Sequence, residues 1–288
     1  MAQLAASAPW WAWPLALFVA CFLLGIIAVP AGVGGGVLFV PIVAGFFPFH
    51  LDYVRGAGQL VALSGALVAA PRLLSTGLAS LRLGLPLGLV AAASSIAGAL
   101  LGFAVDAARL EVALGIAILG IVAVMAAARE SRGGPQRPPD ALAAALGMHG
   151  VFVDGATGAT QPWSAQRTPQ AIALFVLIGL VAGLFGLGAG WANVPALNLL
   201  MGVPLKLAAG TSGLIIATSS SSAAWIYLHQ GAVLPVVAAP SILGMMLGAR
   251  IGVRVLHRAR ASMVRRLVIA MLLFAGARAL AKGMGWWN

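Results

Sequence analysis

The sequence predicts an all-α polytopic membrane protein. It is expected to hold two inverted repeats of about five helical segments each, with glycine-broken helical hairpins meeting near the membrane midplane. Three observations lead there. First, the 288 residues are 61% hydrophobic and only 8% charged, with a mean hydropathy of +1.03, whereas a soluble domain carries about a quarter charged residues. Second, apolar stretches fill nearly the whole chain and do not alternate as the strands of a membrane barrel must. Third, Gly32-Val33-Gly34-Gly35-Gly36 with Pro41 returns as Gly186-Leu187-Gly188-Ala189-Gly190 with Pro195. The same offset, 154 residues from Gly34 to Gly188, carries Gly25 to Gly179, Gly56 to Gly210, Gly77 to Gly231, Pro86 to Pro240 and Gly98 to Gly252 without a gap. One ungapped register over that length marks a duplication.

Each half divides into five apolar segments, near 10–31, 37–47, 56–74, 83–103 and 110–128 in the first and 171–185, 191–201, 210–228, 233–253 and 264–281 in the second. The second segment of each half has about half the length needed to cross a bilayer. The first and second segments therefore predict a helical hairpin that turns at the glycines inside the membrane. No basic residues precede Trp10, so the first apolar run is expected to be a membrane helix rather than a cleaved signal. The organisation predicted is a membrane repeat over 1–128, a linker over 129–170 and a second membrane repeat over 171–288.

Charge sets the orientation. The net charge of +11 comes from basic residues lying mostly between apolar segments, the pattern of a membrane protein obeying the positive-inside rule and not of a nucleic-acid binder. With 250–266 in the cytoplasm, thirteen of the seventeen Lys and Arg residues fall on that side; Arg55, Arg109, Arg278 and Lys282 fall outside. The corresponding loop of the first half, at 106–111, lands on the opposite face. The repeats are then inverted and both termini non-cytoplasmic, the arrangement of alternating-access carriers. The linker opens with Ser131-Arg132-Gly133-Gly134-Pro135, a flexible composition, and 148–154 with 160–164 flank Gly155-Ala156-Thr157-Gly158 as a small cytoplasmic β-hairpin would.

Few residues can carry chemistry. All six carboxylates lie outside the apolar cores, which disfavours an aspartyl-type intramembrane protease and a Na⁺ or proton site built on a buried acid. No His-Glu-x-x-His pattern, no spaced histidine pair and only one cysteine, Cys21, are present, so neither a metal site nor a disulfide framework within one chain is expected. No phosphate-binding Gly-x-x-x-x-Gly-Lys-Ser/Thr loop occurs, so the chain is not expected to hydrolyse ATP, and no cofactor or enzymatic activity is expected.

What remains is neutral. Glycines at Gly34, Gly35 and Gly36 and at Gly188 and Gly190 either let helices pack closely or open a half-helix whose first N–H groups and positive dipole end hold an anion. Seven hydroxyls between Thr211 and Ser222 either bond to the preceding helical turn or line a polar cavity. Gln59 is a lone amide in an apolar helix and needs a partner. Asn193 lies three residues into the second half-helix.

The doubled glycine run resembles the sulfite exporter TauE/SafE family, also called the toluene-sulfonate uptake permease family. The second half carries the closer likeness: 186–198, Gly202-Val203-Pro204-Leu205-Lys206 and Gly210-Thr211-Ser212, with a small element at 150–154 and Trp163. The resemblance implies a permease of the bacterial cytoplasmic membrane for sulfite, sulfonates or related sulfur anions. It implies a site at Gly34, Gly35, Gly36, Gly188, Gly190, Asn193, Thr211 and Ser212. The chain departs from the family pattern at Gly58-Gln59-Leu60, where Gly-Thr-Ser is common, and at Ala189. The expected function is a secondary transporter of small anions, with the bilayer and a small anionic substrate as partners and either a proton or the membrane potential as driving force. An anion channel and a membrane scaffold are the alternatives.

Overall fold

The computed structural model describes residue 9, residues 11–31, 34–47, 49–127, 138–153 and 160–256, and scattered positions between 269 and 284. Gly32, Val33, the Ser131–Arg137 linker and half of the last predicted segment lie outside the described residues.

The first half contains α1 (Ala12–Ala31), α2 (Gly35–Phe46), α3 (Leu51–Ser75), α4 (Leu81–Phe103) and α5 (Ala107–Ala127). A short α6 (Ala141–Ala145) and strands β1 (His149–Val153) and β2 (Thr160–Ser164) follow. The second half contains α7 (Thr168–Phe185), α8 (Gly190–Pro195) running into a π-helical turn (Ala196–Leu200), α9 (Leu205–His229) and α10 (Pro235–Leu256). Among the described residues, α3, α4, α7 and α10 are long and apolar enough to cross a membrane, and α1 and α2 offer shorter apolar helices. Large apolar side chains such as Leu89 and Trp225 face outward, as lipid contact favours. The chain is an all-α polytopic membrane protein.

The 12 residues of α2 reach about 18 Å, short of the ~30 Å hydrocarbon core. Its α-helical start at Gly35 follows directly on Gly34, whose φ of +78° only glycine adopts freely. The equivalent Gly188 has φ +69°. The two breaks in the apolar stretches therefore share one backbone solution.

Packing is reciprocal under the sequence offset. Helix α1 lies along α10, and α7 lies along α4. A β-carbon at Gly25 would sit 2.8 Å from the Met245 carbonyl oxygen, and one at Gly179 would overlap the carbonyl oxygen of Ala91, the counterpart of Met245. A β-carbon at Gly252 would lie 3.1 Å from the Ile26 oxygen, and at Gly98 it would overlap that of Leu180. These glycines serve close helix approach, which in a bilayer supplies much of the association energy. The repeat is thus a packing rule as well as a sequence pattern.

The segment between the halves is tied to the bundle. Asp140 caps α6 by accepting from Ala143 N at 2.7 Å and also accepts from Thr168 N, at the start of α7, at 2.7 Å. Burial nudges this carboxyl upward, but the amide hydrogen bonds from Thr168 and Ala143 outweigh it and hold the group below the usual carboxylate range. Strands β1 and β2 pair antiparallel with Gly150 opposite Trp163. Phe152 and Trp163 turn inward into one apolar cluster with Met148, Met201 and Val203, which docks the hairpin on the turn between the π segment and α9.

Candidate functional site

The two glycine turns meet where α3 crosses α9. A β-carbon at Gly34 would lie 2.9 Å from the Ile216 Cδ1 atom, and one at Gly188 would lie 2.9 Å from Ala62 Cβ. Ala62 and Ile216 are themselves offset partners, so each turn rests on the other half's crossing helix. Gly36 backs onto the second turn, its missing β-carbon leaving room for the Leu187 carbonyl oxygen at 2.7 Å and that of Gly58 at 2.9 Å. No side chain caps α2 at Gly34. Its first backbone N–H groups have no intrahelical acceptor, which makes this terminus a donor site for an anion.

A cavity of about 30 Å³ opens beside the first turn, bordered by Gly34, Gly35, Ala66, Leu73, Gly213 and Ile216 among others. Its side chains are apolar, so backbone supplies the polarity there. Of the residues expected to form the site, only Gly34 and Gly35 border this cavity.

The remaining candidates are spread around the crossing. Gln59 is buried in α3 and donates from Nε2 to the Ala182 carbonyl at 2.7 Å, while its Oε1 has no partner. Asn193, on α8, is fully buried with neither side-chain polar atom partnered. Gly190 is buried at the start of α8. Thr211 Oγ1 accepts the Ser80 amide at 3.1 Å and so ties α9 to the start of α4. Ser212 is buried beside it.

The hydroxyl run is mostly spent on its own helix: Thr218, Ser219, Ser221 and Ser222 donate to carbonyls three or four residues back. Ser220 is the exception. Its buried Oγ has no partner and lies 3.6 Å from where a Gly188 β-carbon would sit.

By charge count Arg55 belongs to the outer basic residues, at a helix mouth, with an inward reach that supplies the main charge as the competing reading. The structure buries it completely. Its Nε donates to the Tyr227 hydroxyl at 3.0 Å, and its Nη1 donates to Asp52 Oδ1 at 2.7 Å and to the Gly102 carbonyl at 3.2 Å. The guanidinium also lies 5.3 Å from the Tyr227 ring centroid and 5.4 Å from that of Phe103. The Tyr227 hydroxyl in turn donates a hydrogen bond to the Gly183 carbonyl at 2.8 Å, near the end of α7. Nη2 has no acceptor. A signal was present in the repeat: Arg55 stands where the second half has Ala209, and Tyr227 where the first has Leu73. A charge and a phenol that break an otherwise apolar repeat are candidates for function.

Apolar hairpins broken at glycine turns, with backbone donors and orphaned polar groups inside the bundle, define a polytopic membrane transporter. The chain belongs to the sulfite exporter TauE/SafE family, whose pattern it matches over residues 17–279. It is 28% identical over 267 residues to "Probable membrane transporter protein ORF9" of Sinorhizobium sp, covering 92% of this chain and 91% of that one. It is 28% identical over 138 residues to "Probable membrane transporter protein YunE" of Bacillus subtilis (strain 168), covering 48% of this chain and about half, 50%, of that protein. No solved structure matches the chain. The protein is an integral transporter of a bacterial inner membrane.

Proposed function

We propose that this protein is a secondary transporter of small anions, sulfite or organosulfonates first among them, working by alternating access between two inverted repeats. The observation that carries the proposal is the reciprocal contact of Gly34 with Ile216 and Gly188 with Ala62. It gathers two unwound turns at one crossing between the halves, where an inverted-repeat carrier holds its substrate.

The amides at Gly34, Gly35 and Gly36 supply oriented donors, and the dipole of α2 favours negative charge. The second half contributes differently. Its α-helical run after Gly190 has 6 residues before the π turn, a shorter stack of dipoles. Gly188, Gly190, Asn193, Ser212 and Gln59 supplement it with side-chain and backbone groups, while Thr211 ties α9 to the start of α4 beside them. At the first turn, a pre-organised set of amides holds an anion through oriented dipoles that need no reorganisation. Sulfite and sulfonates present three oxygens around sulfur and so fit several convergent donors.

The test is flux in proteoliposomes loaded with labelled sulfite or a simple labelled sulfonate. Saturable counterflow supports the carrier. Flux that shows no counterflow identifies a channel, and no flux of either anion removes the substrate assignment.

A further inference from the structure

Applying the 154-residue offset to the residues around the Gly34 cavity leads to a second set that is larger and more polar. In the mate of the cavity, Ala209 becomes Arg55, Gly213 becomes Gln59, Ala66 becomes Ser220 and Leu73 becomes Tyr227. Gly34 becomes Gly188. These residues do gather there: Ser220 Oγ faces Gly188, Gln59 reaches the Ala182 carbonyl, and Arg55 holds Tyr227. Small apolar residues border the open cavity, and large polar ones close its mate.

The closure is imperfect in one specific way. Arg55 Nη2, Gln59 Oε1 and Ser220 Oγ are all buried without a partner. Buried polar groups are nearly always satisfied, and each one left over is costly. Two of these orphans are donors and both come from positions where the other repeat offers alanine. Their placement on the offset counterparts of residues that line a cavity gives them a common purpose.

We propose that Arg55, Gln59 and Ser220, with the backbone at Gly188, form a cationic half of the anion site that is shut in this structure and opens toward the membrane face opposite the Gly34 cavity. The Arg55–Tyr227 hydrogen bond is its latch. Tyr227 bridges Arg55 on α3 to the Gly183 carbonyl on α7, so parting α9 from these helices breaks both bonds at once. Asp52, one-third exposed at 33%, pairs with Arg55 Nη1 at 2.7 Å while the latch is shut. When it opens, an oxyanion takes the guanidinium edge that Tyr227 leaves. This inference rests on the anion-carrier reading but predicts an accessibility that requires no substrate.

The experiment places single cysteines at Gly213 and at Ser220 in a Cys21→Ser background of the full chain. Each is labelled with an impermeant maleimide from either face, in cells and in inverted vesicles. Gly213→Cys should label from one face and Ser220→Cys from the other. Adding Tyr227→Phe, which keeps the ring and removes the latch hydroxyl, should speed Ser220→Cys labelling about tenfold, the factor allowed by losing one hydrogen bond to a charged group. Methanesulfonate, which unlike sulfite does not consume maleimide, should slow that labelling, and Arg55→Gln should abolish the protection while Arg55→Lys retains part of it.

Labelling of both cysteines from the same face overturns the proposal, as does a Ser220→Cys that stays unlabelled with Tyr227→Phe. Opposite-face labelling without protection by methanesulfonate keeps the latch and overturns the anion half-site. Failure of the carrier reading itself would appear instead as absent counterflow with the labelling pattern intact.

Discussion

The α-carbon of Gly56 rests on the carbonyl oxygen of Ala232. The contact recurs at Gly210, which rests on the carbonyl oxygen of Leu78, the offset partner of Ala232. Both oxygens follow tight turns at glycines with positive φ, Gly231 at +67° and Gly77 at +70°. A turn between two spanning helices thus seats directly on a helix of the opposite half.

A methyl group at either glycine would overlap backbone, which cannot swing aside as a side chain can. Gly56→Ala and Gly210→Ala should each destabilise the protein by about 1–3 kcal/mol, the usual cost of overpacking a tight interface. Thermal unfolding of purified protein in detergent measures this. Unchanged midpoints in both variants would mean that the helix ends yield freely and that the shared packing is not a constraint.

At Gly34 and Gly188 the demand is conformational as well as spatial. A non-glycine residue in the left-handed region costs roughly 1–2 kcal/mol, and the added carbon would press on Ile216 or Ala62 at 2.9 Å. Gly34→Ala and Gly188→Ala should therefore yield inserted protein whose transport is strongly reduced. Larger residues, as in Gly35→Leu or Gly188→Leu, should abolish it. Normal flux from membranes holding normal amounts of Gly188→Leu would separate the turn from transport.

Orientation can be read chemically. By the positive-inside rule, the excess of Lys and Arg between the halves and in the 250–266 loop is expected to put both in the cytoplasm with the termini outside. Cysteines replacing Gly134 and Gly285, in a Cys21→Ser background, should differ in intact cells: an impermeant thiol reagent should label the second and spare the first. The reverse pattern would invert the topology.

Asp140 gives the segment between the halves a pH dependence. Its folded carboxyl is held below the ordinary value by the Thr168 and Ala143 amides, so its contribution is complete above the unfolded pKa of about 3.9 and is lost as pH falls through the lower folded value. Pepsin should spare residues 138–153 and 160–170 above the ordinary carboxylate value and cut them once the pH has fallen through the lower folded value. Asp140→Ala removes the cap, worth about 1 kcal/mol, and should admit the protease in both ranges. Equal resistance of the variant and the parent in both ranges would show that the tether does not hold the segment.

How far these features could be read from sequence depended on whether one residue type has one use. Glycine at Gly34 and Gly188 was legible because a broken apolar stretch needs a turn, and the duplication flagged the same break twice. The hydroxyls between Thr211 and Ser222 were ambiguous, because a serine in a helix can satisfy itself on the carbonyl a turn back, and all but a few do so here. Arg55 kept two readings, outer helix mouth or inward reach, because its surroundings are non-local. Asp52 lies one turn away, but Gly102 and Tyr227 come from two other helices, and no local rule announces that a first-turn arginine will be enclosed. Comparing the two halves position by position would have exposed it, since Ala209 occupies the matching place.

The last prediction separates binding from scaffolding among the buried polar residues. Thr211 and Gln59 were both expected to touch the substrate, but their surroundings differ. The Thr211 oxygen already accepts the Ser80 amide. Thr211→Val leaves that N–H without its acceptor, at a cost of about 1–3 kcal/mol in stability, and should change substrate affinity by less than about twofold if no charged hydrogen bond to the anion is lost. Gln59 has the opposite balance. Its amide nitrogen holds Ala182, but its oxygen is orphaned, so Gln59→Leu gives up one hydrogen bond and relieves one unsatisfied acceptor. Its stability should change little, while the affinity for a sulfonate should fall roughly tenfold through loss of a donor in the opened half-site. Calorimetric titration and thermal unfolding on the same preparations read both quantities. If Thr211→Val loses affinity at full stability and Gln59→Leu binds normally, the anion sits on the Thr211 side of the α3–α9 crossing, and the assignment of Gln59 to the site is wrong.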